Sequence, residues 1–209
     1  MGRTSDAKER LLDAALDLIW ERSYGIVTID SICERAGVKK GSFYYFFASK
    51  AELAVAALDL NWSRCGKPTW DAAFSATVEP LARIVDFLQG VHDSQAALHR
   101  EHGKVLGCPC FSIGSETSFQ DEPILAKAQA ILQQQIRYFE SAIREAQAEG
   151  SIPEGDACLK AKCLFALFEG SLAQARIQND LEILRILPEA AMGLLGVAAF
   201  SREASISSR

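Results

Sequence analysis

Hydrophobic residues recur at helical spacing along almost the entire chain. Near the N terminus, Leu11, Leu12, Ala15, Leu18 and Ile19 follow the i, i+3, i+4, i+7 spacing of an amphipathic helix. The same spacing predicts helices that begin at Pro80 and that cover residues 123–149, 156–177 and 188–200, whereas residues 103–118 are irregular. We find no pattern of paired strands and no internal repeat. The sequence therefore predicts an all-α protein with about nine helices.

Two short helices joined by a tight turn are predicted within the first 50 residues. Thr28 is a suitable N-cap for a helix over residues 29–35, and Gly37 follows as a typical left-handed helix end. The connection over residues 37–39 is short and contains a glycine, which is typical of a helix-turn-helix. A third helix is predicted over residues 40–47.

A break in the helical pattern predicts the domain boundary. Ser49 and Glu52 have capping-box spacing, so a fourth helix is predicted over residues 49–65. Residues 66–68, Gly-Lys-Pro, then interrupt the pattern. We predict a first domain over residues 1–50, a second over residues 51–200 with helix 49–65 connecting the two, and a flexible tail over residues 201–209.

Composition and charge narrow the class of protein. Hydrophobic residues make up 49% of the 209 residues and charged residues 23%, which is enough for a buried core and excludes disorder. The uncharged run over residues 190–200 is too short to cross a bilayer, and the N terminus lacks a secretory signal pattern. We therefore expect a soluble cytoplasmic protein that makes no membrane contact.

The net charge of −5 is unevenly distributed. Residues 1–50 contain eight Lys and Arg against seven Asp and Glu, so they carry a net charge of +1, and the rest of the chain carries the acidic excess. Within residues 39–50, Lys39, Lys40 and Lys50 occur with no acidic residue. A weakly basic N-terminal region therefore precedes an acidic remainder.

The segment K-K-G-S-F-Y-Y-F-F-A-S-K over residues 39–50 contains the strongest candidate chemistry. At about 100° per residue, Phe43 lies on one helical face with Phe46 and Phe47. The opposite face carries Lys40, Gly41, Tyr44 and Tyr45. Ammonium groups, phenols and free backbone N–H groups all bind phosphate, so this face favours DNA. The alternative is a solvated lysine pair beside core aromatic residues.

From Lys8 to Leu53 the chain resembles the DNA-binding domain of the tetracycline-repressor (TetR) family of bacterial transcriptional regulators. The matching segments are L-L-D-A-A-L-D-L-I, V-T-I-D-S-I-C-E-R-A-G-V and K-G-S-F-Y-Y-F-F-A-S-K-A-E-L. The resemblance implies DNA contacts at seven positions, which are Thr28, Lys40, Gly41, Ser42, Tyr44, Tyr45 and Lys50. Lys39 replaces the usual serine and adds a candidate phosphate contact, and Phe46 replaces a residue that is often tyrosine or histidine.

The same resemblance implies a helical C-terminal domain that binds a small molecule and forms a homodimer through its last two long helices. The candidate dimer faces are Leu164, Leu167, Phe168, Ser171, Leu172 and Ala175 in one helix and Ala191, Leu194, Leu195, Ala198 and Ala199 in the other. The alternative is that these faces pack within one protomer. The aromatic residues of this domain are candidates to line the ligand cavity, although we expect most of them to be core. Gln133, Gln134, Gln135 and Arg137 are candidate polar contacts, although a solvated face also explains them.

Cys108 and Cys110 are candidate sensing thiols. Some family members carry a glycine-cysteine step at this position, and a cysteine at a helix N-terminus has a lowered pKa and reacts more readily with electrophiles. The alternative is that both cysteines serve only as small apolar residues of the structure.

A metal site with His99 and His102 matches no defined spacing, so we expect neither a metal nor a cofactor.

The sequence thus predicts a ligand-responsive, DNA-binding transcriptional regulator. We expect a homodimeric repressor that an unidentified small-molecule or electrophile effector releases from double-stranded operator DNA. The alternative is a thiol-dependent enzyme that uses Cys108 or Cys110 as nucleophile with a nearby histidine as base. No oxyanion-stabilising or orienting group can be named for that enzyme, so we predict that the protein is not an enzyme.

Overall fold

The computed structural model describes residues 3–117 and 120–197, and within these ranges every regular element is a helix. The helices are α1 (Arg3–Glu21), α2 (Ile29–Ala36), α3 (Lys40–Phe46), α4 (Lys50–Asn61), α5 (Lys67–Ala73), α6 (Pro80–His102), α7 (Pro109–Thr117), α8 (Glu122–Ala148), α9 (Ala157–Gln178), α10 (Glu182–Arg185) and α11 (Leu187–Leu195). The all-α prediction is confirmed. The predicted tail at residues 201–209 lies outside the described residues. None of the described helices has the length and apolarity needed to span a membrane.

The helices form two compact units. The first unit comprises the described parts of residues 1–68 and 108–133, and the second comprises those of residues 69–107 and 134–209. Helix α8 therefore contributes its N-terminal half to the first unit and its C-terminal half to the second. The functional boundary at residue 50 stays a prediction.

The predicted helix break at residues 66–68 is wrong. Helix α4 continues through a π-helical turn over Trp62–Gly66 directly into α5. Pro68 directly follows this π-helical turn, in which the Lys67 N–H bonds to the Trp62 carbonyl, so the N–H that proline lacks is missing where the regular α-helical bonding is already interrupted. A Cβ atom on Gly66 would lie 2.5 Å from Cε3 of Trp62, so glycine permits the π-turn to close against the indole. Pro68 thus continues the helix where we expected it to end one.

The core of the first unit is built as its pattern predicts. Leu11 and Leu18 from α1, Ile32 from α2, and Phe43 and Phe47 at α3 are all buried. Thr28 caps α2, because its hydroxyl accepts a hydrogen bond from the Ser31 N–H at 3.1 Å. Gly37 ends α2 in the left-handed conformation, with φ of 63°. These local features fix α2 and α3 against α1.

Aromatic side chains form the centre of the second unit. Phe139 of α8 is fully buried and contacts Trp70, Phe74, Phe87, Phe165 and Phe168. Beside this cluster, buried Arg83 of α6 donates from Nη1 to the Glu145 carboxylate at 2.7 Å and from Nε to the Val78 carbonyl at 2.6 Å. The aromatic residues that we proposed as cavity liners are therefore mostly core.

The predicted dimer face on α9 is also wrong. Leu164, Phe168, Ser171, Leu172 and Ala175 are buried within a single chain, as are Ala191 and Leu195 of α11, whereas Leu167 is half-buried. The exposed face of α9 instead carries a stripe of apolar and small residues at coiled-coil spacing, which is Leu159, Cys163, Ala166, Gly170, Ala173 and Ile177. We call this set the α9 stripe. Predicted contributors Ala198 and Ala199 lie outside the described residues.

Candidate nucleic-acid interface and effector site

Helix α3 divides its aromatic residues between the core and the surface. Phe43 has no exposed surface, whereas Tyr44 is 56% exposed and Tyr45 is 75% exposed. The ring of Tyr44 rests edge-on against Phe43, with ring centroids 5.2 Å apart, and Tyr45 makes the same kind of contact with Phe46. These contacts orient both phenols while their hydroxyl groups stay accessible. Both side chains are on the outer surface, as their helical spacing predicts.

The lysines at the start of α3 are exposed. Lys39 is the N-cap residue of α3, and its side chain makes no capping hydrogen bond. The Lys40 ammonium lies 2.8 Å from the carboxylate of Asp30 in α2, and this hydrogen bond raises the pKa of Lys40. Gly41 is exposed with no heavy atom within 4 Å of the position that a Cβ would occupy, so another backbone can approach closely there. Ser42 is half-buried.

Two predicted contact residues have roles inside the protein. The Thr28 hydroxyl caps α2 as an acceptor and keeps its own hydrogen to donate. Lys50 is half-buried, and its ammonium donates to the carbonyls of Tyr24 at 2.8 Å and Val27 at 2.9 Å. Burial lowers the pKa of Lys50. Two of its three N–H donors are therefore occupied, which the sequence pattern did not predict.

A groove lies between α1 and α3 in the first unit, with a volume of about 460 Å³. Its lining combines Asp6, Ala7 and Arg10 of α1 with Gly41, Ser42, Tyr45 and Phe46 of α3. Arg10 is an additional candidate for a DNA contact that the sequence pattern did not indicate. It lines the same groove as Gly41 and Tyr45. Its only sequence signal is the outward position on α1, four residues from Asp6, with which it pairs at 3.5 Å.

The two candidate thiols are in different environments. Cys108 directly precedes α7 and is half-buried, and its Sγ accepts a hydrogen bond from the Phe111 N–H at 3.5 Å. Cys110 lies in the first turn of α7 and is only 4% exposed. None of the six cysteines, which all lie in described ranges, forms a disulfide. Of these two candidate thiols, Cys108 is therefore the one that combines a helix N-terminus with access to reagents.

The second unit contains a groove with a volume of about 370 Å³. Its lining residues are Phe74, Arg83, Gln134, Arg137, Tyr138, Ser141 and Ala142. The Tyr138 hydroxyl donates a hydrogen bond to Asp71, and burial with this bond raises the pKa of Tyr138 to about 12. The predicted polar candidates Gln134 and Arg137 both reach this groove, whereas Gln133 and Gln135 are not among its lining residues.

Two family models match most of the chain. The model described as bacterial regulatory proteins, tetR family, matches residues 11–57, which include α2, the turn and α3. The C-terminal domain model of LmrA/YxaF-like transcriptional regulators matches residues 84–190, which is more than half of the chain. The chain belongs to the TetR family.

Individual relatives of this TetR-family protein span nearly its whole length. It is 27% identical over 173 residues to the transcriptional regulator AcuR of Cereibacter sphaeroides, covering 82% of this chain and 77% of that protein. It is 23% identical over 180 residues to the transcriptional repressor NemR of Escherichia coli K12, covering 86% and 88%. The structure of reduced E. coli NemR superposes with a TM-score of 0.80 and covers 93% of this chain and 99% of NemR.

The family also decides between the two predicted classes of function. The matching models and relatives are transcriptional regulators, not enzymes. This TetR-family protein is accordingly a DNA-binding transcriptional regulator, and the thiol-enzyme alternative has no support. Regulators of this family bind operator DNA and act as dimers.

Proposed function

We propose that this regulator is a homodimeric repressor that places α3 in the major groove of its operator and leaves the DNA when an effector binds. The observation that carries the proposal is the division of α3. Phe43 is buried in the core on one face of the helix. On the other face, Tyr44 and Tyr45 are exposed next to Lys39 and Lys40. Such a surface matches phosphates and base edges better than it matches bulk solvent.

Each proposed contact follows from its side chain. Lys39 and Lys40 neutralise phosphates, and the Thr28 hydroxyl donates to a phosphate oxygen at the start of α2. Tyr44 and Tyr45 donate from their phenols to phosphates.

The remaining three positions act at shorter range. Gly41 admits the DNA backbone because it has no side chain, and Ser42 reaches a base edge or a phosphate. Lys50 contributes its one unoccupied N–H donor, so we expect its contact to be weaker than those of the exposed lysines.

We infer that the α9 stripe is the main surface of the homodimer. Leu159 is 58% exposed and Ile177 is 83% exposed, and the other members of the α9 stripe, which lie between them, are all small residues. Helix α11 adds exposed Leu194, so two helices from each protomer can form a four-helix interface around a two-fold axis. A two-fold dimer presents two α3 helices to half-sites about 34–36 Å apart.

The second-unit groove is the proposed effector site, and Cys108 is the proposed contact for electrophiles. The groove offers the aromatic walls Phe74 and Tyr138 with the polar groups of Arg137 and Ser141. Cys108 has the accessible helix-start position that favours a reactive thiolate. A relative, NemR, has been solved in a form described as reduced, which is consistent with a thiol-linked effector.

Hydroxyl deletion tests the DNA interface. Tyr44→Phe and Tyr45→Phe each remove one proposed hydrogen bond per protomer. Thr77→Val, which removes an exposed hydroxyl of the second unit outside every proposed site, is the control. At about 1 kcal/mol per bond and two bonds per dimer, each interface variant should bind operator roughly 30-fold more weakly. Gel shifts on an operator selected from random duplexes measure this. Wild-type affinity in both interface variants, with the fold intact, would remove α3 from the interface.

Alkylation tests the proposed electrophile site. Iodoacetamide should release the wild type and the Cys110→Ser variant from operator DNA, because buried Cys110 is protected. The Cys108→Ser variant should stay bound under the same treatment. Release of Cys108→Ser to the same extent as wild type would show that another thiol is responsible.

A further inference from the structure

The segment between α1 and α2, residues 23–27, is held by a single carboxylate from α7. Glu116 Oε1 accepts hydrogen bonds from the Ser23 hydroxyl at 2.7 Å and from the Gly25 N–H at 2.6 Å. Its Oε2 accepts from the Tyr24 N–H at 3.0 Å. Three successive residues of the segment thus donate to one side chain that lies more than 90 residues away in sequence.

Two further side chains of the same unit hold this segment. Lys50 of α4 donates to the carbonyls of Tyr24 and Val27, and its ammonium lies 4.1 Å from the centre of the Tyr24 ring. Burial, together with the nearby Asp121 carboxylate, raises the pKa of the Tyr24 phenol to about 12. Backbone donors at Tyr24 and Gly25 and backbone acceptors at Tyr24 and Val27 are therefore all held by side chains of the same unit.

The absence of a side chain at Gly25 allows the Glu116 carboxylate to approach the backbone. A Cβ on residue 25 would lie 2.8 Å from Glu116 Oε1, which is too close for an unbonded contact. The φ angle of Gly25 is not in the left-handed region, so the backbone conformation alone does not require glycine. The three donors need an acceptor-only group, and a carboxylate is the side chain that provides two such oxygens. The glycine is thus explained by the approach of the carboxylate.

The contact connects α7 to the DNA-binding helices. Residues 23–27 lead directly to Thr28, the N-cap of α2, so fixing the segment fixes where α2 begins. Helix α7 starts next to Cys108 and carries Glu116 near its other end. A shift of α7 along or across its axis would carry the carboxylate away from its three donors.

We propose that Glu116 is a positioning residue through which α7 holds α2 and α3 in the arrangement that binds operator. Withdrawal of its carboxylate releases residues 23–27, and operator affinity falls. The inference rests on the proposed function in one respect, namely that α3 contacts the operator. It adds a defined contact through which a change at α7 reaches the DNA-binding helices.

Glu116→Gln is the principal test, with Glu122→Gln as its charge-matched control in the same unit. Glutamine replaces one acceptor oxygen by an NH₂ group, which would oppose a backbone N–H. Loss of a negative charge by itself favours DNA binding, so the control should bind operator equally or more tightly. We expect Glu116→Gln to bind roughly 5–150-fold more weakly, the range of typical coupling between sites. Affinity in Glu116→Gln equal to or above the control would overturn the proposal.

Amide hydrogen exchange measures the contact between Glu116 and residues 23–25 in the absence of DNA. Exchange at Tyr24 and Gly25 should accelerate in Glu116→Gln and stay at wild-type rates in Glu122→Gln, with melting temperatures confirming that both are folded. Lys40→Ala should weaken operator binding without altering this exchange. If Lys40→Ala binds normally, the assigned DNA surface fails, whereas normal exchange in Glu116→Gln defeats the positioning role alone.

A second variant approaches the same contact from the other side. Gly25→Ala pushes a methyl group against Glu116 Oε1 and should weaken operator binding as Glu116→Gln does. Because both changes break one contact, the double variant should be no weaker than the more affected single variant. Full additivity of the two losses would show that the residues act separately and would contradict the proposal.

Discussion

Replacing Lys40 by alanine changes DNA binding and folding to very different extents. The Lys40 ammonium lies 2.8 Å from Asp30, and the two side chains are 51% and 72% exposed. Ion pairs this exposed are screened by water and salt and contribute little to folding. Lys40→Ala should therefore melt close to the wild-type temperature, and any loss of operator affinity is attributable to the interface.

The size of the DNA effect depends on salt in a way that can be calculated. A homodimer presents two copies of Lys40, and each phosphate contact contributes about 0.9 to the slope of log affinity against log salt. Losing both contacts reduces the slope by about 1.8. Between about 50 and 200 mM salt, wild-type affinity should consequently fall roughly 12-fold more than that of the variant.

Fluorescence anisotropy with a labelled operator duplex measures both slopes. Lys104→Ala is the matched control, because Lys104 is an exposed lysine of the second unit and the proposed interface does not include it. We expect the control to reproduce the wild-type slope. If Lys40→Ala also keeps the wild-type slope, Lys40 neutralises no phosphate and the proposed orientation of α3 is refuted.

Three other substitutions, one of them with a matched control, probe the interface, the dimer and the core. Asp30→Asn removes the acid that pairs with Lys40, so gel shifts should show tighter operator binding. Ile177→Asp places a charge on the α9 stripe and should yield monomers in light scattering, whereas Ile26→Asp, an exposed isoleucine outside the stripe, should stay dimeric. Phe139→Ala empties the centre of the aromatic cluster, costing about 3–5 kcal/mol and lowering the melting temperature by roughly 6–20 °C in calorimetry. Monomeric Ile26→Asp or an unchanged Phe139→Ala would contradict these assignments.

Local chemistry explains why the DNA-binding region could be predicted. Thr28 caps the start of α2 and Gly37 caps its end, each through hydrogen bonds to residues only a few positions away. At the start of α4, the Ser49 hydroxyl oxygen accepts a hydrogen bond from the Glu52 N–H three residues later. The exposure of Tyr44 and Tyr45 follows from their angle to Phe43 on the same short helix. Every one of these features depends on residues that are neighbours in sequence.

The predictions that failed concern helices whose hydrophobic pattern is compatible with more than one packing arrangement. Helix α9 is apolar around most of its circumference, with Leu159 and Ile177 on one side and Leu164 and Phe168 on the other. Periodicity alone cannot tell which side faces the protein's own core, and we chose the wrong one. At Pro68 the same limit applies, because a proline that a helix accommodates beside a π-turn and a proline that ends a helix look identical in sequence.

The amino-acid sequence by itself determined the helical class, the helix-turn-helix and the outward face of α3, because helix periodicity and capping act over fewer than about eight residues. The tertiary structure alone decided the partners of Lys50 and Glu116, the separate environments of Cys108 and Cys110, and the free face of α9. Those outcomes depend on contacts between distant segments. Glu116 accepts hydrogen bonds from residues about 90 positions away in sequence. Such a contact leaves no periodic pattern in the sequence, so it can be recognised only in the folded structure.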